Sequence, residues 1–104
     1  MKKVLLDENL PQPLRHRLRN CEVSTVGFMG WSGVQNGELI ELINGDFDIL
    51  VTADQNLRYQ QNLKDRLVSI IELPATRLEE ILRFLSELDS AIENAEIGGY
   101  TVIR

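Results

Sequence analysis

Cysteine is nearly missing from this sequence: Cys21 is the only one in 104 residues. A lone thiol excludes an intramolecular disulfide, and with it the stapled scaffold of many small secreted proteins, so a reducing cytoplasm is the expected setting. Histidine is equally scarce. The single His16 sits among Arg15, Arg17 and Arg19, which excludes a zinc site built on several imidazoles. Long apolar runs are missing too. After Met1-Lys2-Lys3, the stretch Val4-Leu5-Leu6 stops at Asp7-Glu8, so no export signal is expected. The runs around Ile49 to Val51 and Leu67 to Leu73 fall well below the roughly 18 residues of a membrane span. Positive charge is in the minority, 11 Lys and Arg against 16 Asp and Glu for a net charge of −5, which excludes a broad basic face for polyanions. Repeats, low-complexity tracts and Gly/Ser/Pro linkers are not found either. With 43% apolar residues, one cooperative domain over residues 1–104 is expected.

Against these absences stand four short aliphatic or β-branched runs: Val4 to Leu6, Val23 to Val26, Phe47 to Thr52 and Leu67 to Leu73. Most lack strict alternation, which predicts strands buried on both faces and hence a parallel sheet. Between the first two, Pro11 to Arg19 reads as a short crossover helix, with Pro11 in its first turn and Leu14 and Leu18 on one face. A second helix is predicted over Gly37 to Ile43, with Asn36 as N-cap and Asn44-Gly45 as its stop. The longest helix follows Pro74. Thr76 and Glu79 have capping-box spacing, and Leu78, Ile81, Leu82, Leu85, Leu88 and Ile92 recur at helical intervals. Gly98-Gly99 then turns the chain into Tyr100 to Ile103, a closing edge strand. Alternating strands and helices give an α/β fold, a three-layer α/β/α sandwich on a mainly parallel sheet of about five strands.

In open α/β sheets, ligands bind beyond the carboxyl ends of the strands, where connections diverge to opposite faces. The first strand runs into Asp7-Glu8-Asn9 and the third into Thr52-Ala53-Asp54, so two acidic groups are expected at one edge. Glu38, in the first turn of the second helix, stands about 40° around the axis from Leu42, at the margin of the expected buried face. Asp7, Glu38 and Asp54 are thus expected to converge. Carboxylates that close raise one another's pKa unless a cation compensates, and an all-oxygen set suits Mg²⁺ or Mn²⁺. Helix capping and dipole complementation are the ordinary alternatives for each residue. Asp46 and Asp48 read as turn residues beside Phe47. In Gly27-Phe28-Met29-Gly30-Trp31-Ser32-Gly33, the large side chains either fold back as a lid on the core or form an exposed contact patch.

The segments Val4-Leu5-Leu6-Asp7-Glu8-Asn9-Leu10-Pro11, Asn36-Gly37-Glu38-Leu39 and Leu50-Val51-Thr52-Ala53-Asp54-Gln55-Asn56-Leu57 together resemble a small PIN-like family of unknown function related to VapC-type toxin ribonucleases. The resemblance runs from Met1 to about Leu73. It implies a hydrolase, an endoribonuclease that cleaves RNA phosphodiesters with Mg²⁺ or Mn²⁺, acting as the toxin of a toxin–antitoxin pair. Carried over position by position, Asp7, Glu38 and Asp54 are its catalytic and metal-binding residues. Asn56 falls where related sequences carry a fourth acid, so a second ion is expected to be held more weakly. Asn9 and Asn56 orient ligands, while Arg15, Arg17, Arg19, Arg58, Lys64 and Arg66 supply local positive charge toward a phosphate backbone. The alternative is a PIN-like module that no longer cleaves and binds nucleic acid or an antitoxin-like protein. A phosphoacceptor domain like a response-regulator receiver also carries acids after its first and third strands, but no lysine follows the last strand here. The long helix reads as core packing or, in a homodimer, as a subunit contact.

Overall fold

The computed structural model describes residues 1–59 and 66–104; Lys64, one of the expected phosphate-facing cations, lies outside them. The aliphatic runs form β1 (Lys2–Leu6), β2 (Cys21–Thr25), β3 (Ile49–Thr52), β4 (Ser69–Glu72) and β5 (Tyr100–Val102). All pair in parallel in the order β2-β1-β3-β4-β5. Every residue of β3 and β4 is buried, as a parallel sheet covered on both faces requires. The closing strand is present at the edge, parallel to β4.

Alternation sorts the strand side chains onto two faces. Val4, Leu6, Ile49, Val51 and Ile71 pack with Leu14, Ile81, Leu88 and Ile92; Leu5, Leu50 and Ile70 pack with Leu39, Ile40, Ile43 and Leu57 on the other side. The first face is covered by the segment after β1 and by α2 (Leu78–Ile81) and α3 (Leu85–Glu93), the second by α1 (Asn36–Ile43). The result is three layers around a five-stranded parallel sheet. Among the described residues, no helix is long and apolar enough to cross a membrane.

Several local expectations are corrected. The first crossover is a 3₁₀ helix, Gln12–His16, not an α-helix over Pro11 to Arg19. Pro11 and Pro13 remove two backbone donors, and the bonds that form close the tighter ring, from Leu14 N to Pro11 O (3.1 Å) and Arg17 N to Leu14 O (2.9 Å). The helix after Pro74 is not continuous: a 3₁₀ turn, Leu82–Phe84, separates α2 from α3. Its capping box does not form. Arg77, not Thr76, stands at the N-cap without a side-chain bond, and the Glu79 carboxylate pairs with Arg77 at 2.5 Å. The stop after α1 does form, because Gly45 takes the left-handed φ of +94° that a side chain would strain. Gly98, at φ +70°, has the Arg66 carbonyl 3.0 Å from where a Cβ would sit, so a larger residue there is strained. The Phe28–Trp31 loop is mixed: Trp31 meets Phe47 edge to face at 6.3 Å, Met29 packs beside it, and Phe28 is exposed.

One long-range tie locks the last helix to the first strand. Lys2 Nζ donates to the carbonyls of Ile92, Glu93 and Ala95 at 2.9, 2.9 and 3.1 Å, capping the carboxyl end of α3 with a positive charge. Replacing Lys2 by Met is expected to cost about 1–2 kcal/mol, seen as a lower urea midpoint with an unchanged slope.

Candidate functional site

Period-two alternation carries the buried row Leu5, Leu50 and Ile70 one step further along each strand to Asp7, Thr52 and Glu72, on the face that α1 covers. The carboxyl edge on that face is therefore polar where the sheet interior is aliphatic. β1 and β3 are neighbours, while the chain leaves β1 over one face and enters β3 from the other. The switch point of the fold lies between them, and Asp7 and Asp54 both stand there.

Thr52 links the Asp7 carboxylate to the backbone of Asp54. Its hydroxyl donates to Asp7 Oδ2 at 2.8 Å and accepts the backbone N–H of Asp54 at 3.0 Å. Asp7 is only 5% exposed, and its Oδ1 accepts the N–H of Glu8 at 2.6 Å. Asp54 is half-buried, with Oδ1 accepting the N–H of Asn56 (2.9 Å) and Oδ2 accepting the side-chain amide of Asn36 (3.1 Å). Each carboxylate oxygen accepts one such bond and retains a further lone pair. Asn36 begins α1 and spends its amide on Asp54, while Gln35 occupies the N-cap without a side-chain bond.

Glu38 does not join this pair. It is exposed, and among the described residues no three His, Cys, Asp or Glu side chains are gathered as for a metal. The helical wheel gives the reason. The buried face of α1 is Gly37, Leu39, Ile40 and Ile43, and Leu42 is 46% exposed, so a position reckoned from Leu42 faces outward. With Asn36 turned to Asp54, a residue two steps on is rotated by about 200°.

The other expected residues take several roles. Asn9 is exposed in the turn after β1, and Asn56 is exposed with its backbone, not its amide, bonded to Asp54. Arg15 lies exposed in the first 3₁₀ helix, its Nε donating to His16 Nε2 at 3.2 Å. Glu8, exposed beside Asp7, accepts the N–H of Gly33 on both oxygens (3.0 and 3.2 Å). Asp48 is a turn residue that accepts the N–H of Lys3 at 2.7 Å. Arg58 is not a free cation: it pairs with Glu72 at 2.5 Å, and that hydrogen bond raises its pKa further against the effect of burial.

Glu72, Thr52, Asn36 and Tyr100 are the residues that sequence reasoning missed. Glu72 is 2% exposed and is satisfied by Arg58 on one oxygen and by the Tyr100 hydroxyl on the other (2.8 Å). Its signal was present, an acid at the carboxyl end of an aliphatic strand as in Asp7. Comparison of the chain with family models, curated proteins and solved structures finds no match. The site is therefore read from its own chemistry.

That chemistry is one of hard oxygens, the carboxylates of Asp7 and Asp54 with the Thr52 hydroxyl linking Asp7 to the Asp54 backbone. It fits a small divalent cation that keeps most of its own water, Mg²⁺ or Mn²⁺, and gives no thiolate or imidazole for zinc.

Burial and the hydrogen bond to the Glu72 carboxylate push the Tyr100 phenol well above its usual range. The folded protein therefore holds this proton at a pH where the unfolded chain, titrating near about 10, releases it. Stability from Tyr100 is complete below about pH 10 and declines as pH rises toward the folded value. Unfolding curves on either side of pH 10 should show an alkaline loss of stability that is shallower in Tyr100→Phe.

Proposed function

We propose that this chain is a PIN-like, metal-dependent ribonuclease that hydrolyses RNA phosphodiesters at the carboxyl edge of its sheet. The observation that carries the reading is the Asp7–Thr52–Asp54 arrangement at the switch point, where one buried hydroxyl donates to the Asp7 carboxylate and accepts the backbone N–H of Asp54. Asp7 and Asp54 are the residues that would hold Mg²⁺ or Mn²⁺, with Asn36 and Asn56 beside them. When bound, the ion supplies Lewis-acid charge at the scissile phosphate. The chain's own residues do the positioning. Thr52 and the Glu8 N–H fix Asp7 in a buried seat, and Asn36 and the Asn56 N–H fix the more open Asp54. Asp54, the more solvent-accessible carboxylate, can take up a proton from attacking water.

Single-stranded RNA incubated with the protein is expected to be cleaved with Mg²⁺ or Mn²⁺ and left intact when a chelator removes them. Intact RNA in both conditions would overturn catalysis and leave a binding module. A second reading has one observation in its favour, since β2-β1-β3-β4-β5 is also the strand order of response-regulator receivers. An acid-labile adduct on Asp54 after exposure to acetyl phosphate would support it over the nuclease.

A further inference from the structure

Beyond Asp54 the chain runs into Gln55, Asn56, Arg58 and Tyr59, which together with Glu72 and Val102 line an open cavity of about 470 Å³. Its size is that of a site for one small ligand. We infer that this cavity is a nucleotide subsite, holding the base of one nucleotide of single-stranded RNA next to the carboxylate pair. This rests on the ribonuclease reading for its choice of ligand.

Three features of the cavity match a nucleotide. Tyr59 is 76% exposed, an aromatic ring of the kind on which bases stack. The Arg58 guanidinium lies over that ring, 5.9 Å from its centre, a cation–π contact that fixes the two groups against each other. Arg58 is fixed there by Glu72, whose other oxygen is taken by Tyr100, so the wall is preorganised. Gln55 and Asn56 add amides that both donate and accept, as the polar edge of a base does. Because Asp54, Gln55 and Asn56 are consecutive, a nucleotide seated here brings its backbone to the carboxylates.

The test is mononucleotide binding without metal. Isotope-labelled protein in a chelator is titrated with each of the four ribonucleoside 5′-monophosphates and, separately, with inorganic phosphate, and followed by NMR. At least one nucleotide is expected to give saturable shifts centred on residues 55–59, 72 and 102, with none from phosphate at equal concentration. Tyr59→Ala, at an exposed position that cannot unfold the core, should weaken binding about tenfold. Arg58→Lys keeps the charge opposite Glu72 but loses the planar guanidinium, and should weaken it comparably. Shifts elsewhere, equal shifts with phosphate, or affinity unchanged by Tyr59→Ala would overturn the inference. Nucleotide binding by a protein that cleaves no RNA removes the nuclease and keeps the subsite. Cleavage whose KM ignores Tyr59→Ala, without nucleotide binding, does the reverse.

Discussion

Asp7→Asn is expected to lower metal-dependent RNA cleavage by on the order of 10²–10³-fold, the loss typical when one preorganised electrostatic group is removed from a site. The substitution is nearly isosteric, so its effect separates charge from shape. The amide still offers one oxygen to the Thr52 hydroxyl or to the Glu8 N–H, the two donors that Asp7 satisfies now, but it withdraws the negative charge that attracts a cation. Thermal unfolding gives a second readout. A ligand at 100 times its Kd stabilises the folded state by about 2.7 kcal/mol, so Mn²⁺ should raise the Tm of the wild type and leave Asp7→Asn nearly unmoved. Glu38→Gln should keep both the cleavage and the shift, because Glu38 is exposed and outside the pair. Equal cleavage by wild type and Asp7→Asn would reject the mechanism. Loss of the shift in Glu38→Gln would place that residue back in the site.

The different fates of Asp7 and Glu38 show which parts of the site are legible in sequence. Asp7 and Asp54 follow strands, and a strand's direction, its carboxyl end and the parallel pairing of aliphatic runs are all local or class-level properties. These fix the edge on which both acids stand before any contact is known. Glu38 depended on which face of an eight-residue helix is buried. Leu39, Leu42 and Ile43 allow more than one answer, and the sheet beneath selected Leu39, Ile40 and Ile43. Tertiary packing overrode the pattern there. The capping box at Thr76 failed for a local reason: the helix starts one residue later, with Arg77 at the N-cap, and the Glu79 carboxylate lies on Arg77.

What stayed hidden were hydrogen bonds between distant segments. Thr52 and Asp7 are 45 residues apart, Lys2 and Ala95 are 93 apart, and Tyr100 reaches back 28 residues to Glu72. Each exists because of the strand order, which periodicity does not encode. A buried polar residue in an aliphatic strand signals only that a partner must exist, as Glu72 does at the end of Ser69-Ile70-Ile71. The identity of that partner required the sheet, and with it Arg58 changed from a free phosphate-facing cation to one fixed beside a carboxylate.

Thr52 offers the other large effect, because it is a positioning residue with no charge of its own. It is fully buried, and Thr52→Val preserves nearly all of its shape while deleting the hydroxyl that serves Asp7 and Asp54 together. Left behind are a buried carboxylate oxygen short of a donor and a backbone N–H short of an acceptor, a loss of about 1–3 kcal/mol. Chemical denaturation in the absence of metal measures that cost. If Thr52 did no more than fill space, Val would restore everything. As the group that holds the Asp7 carboxylate and fixes the backbone at Asp54, its loss is expected to weaken Mn²⁺ binding about 10- to 100-fold, the range seen when an outer-shell partner of a ligand is removed. Thr52→Ser decides between the two. It deletes a methyl and keeps the hydroxyl, so it should recover the metal affinity while remaining less stable than wild type, whereas recovery by Val instead of Ser would assign Thr52 to packing alone.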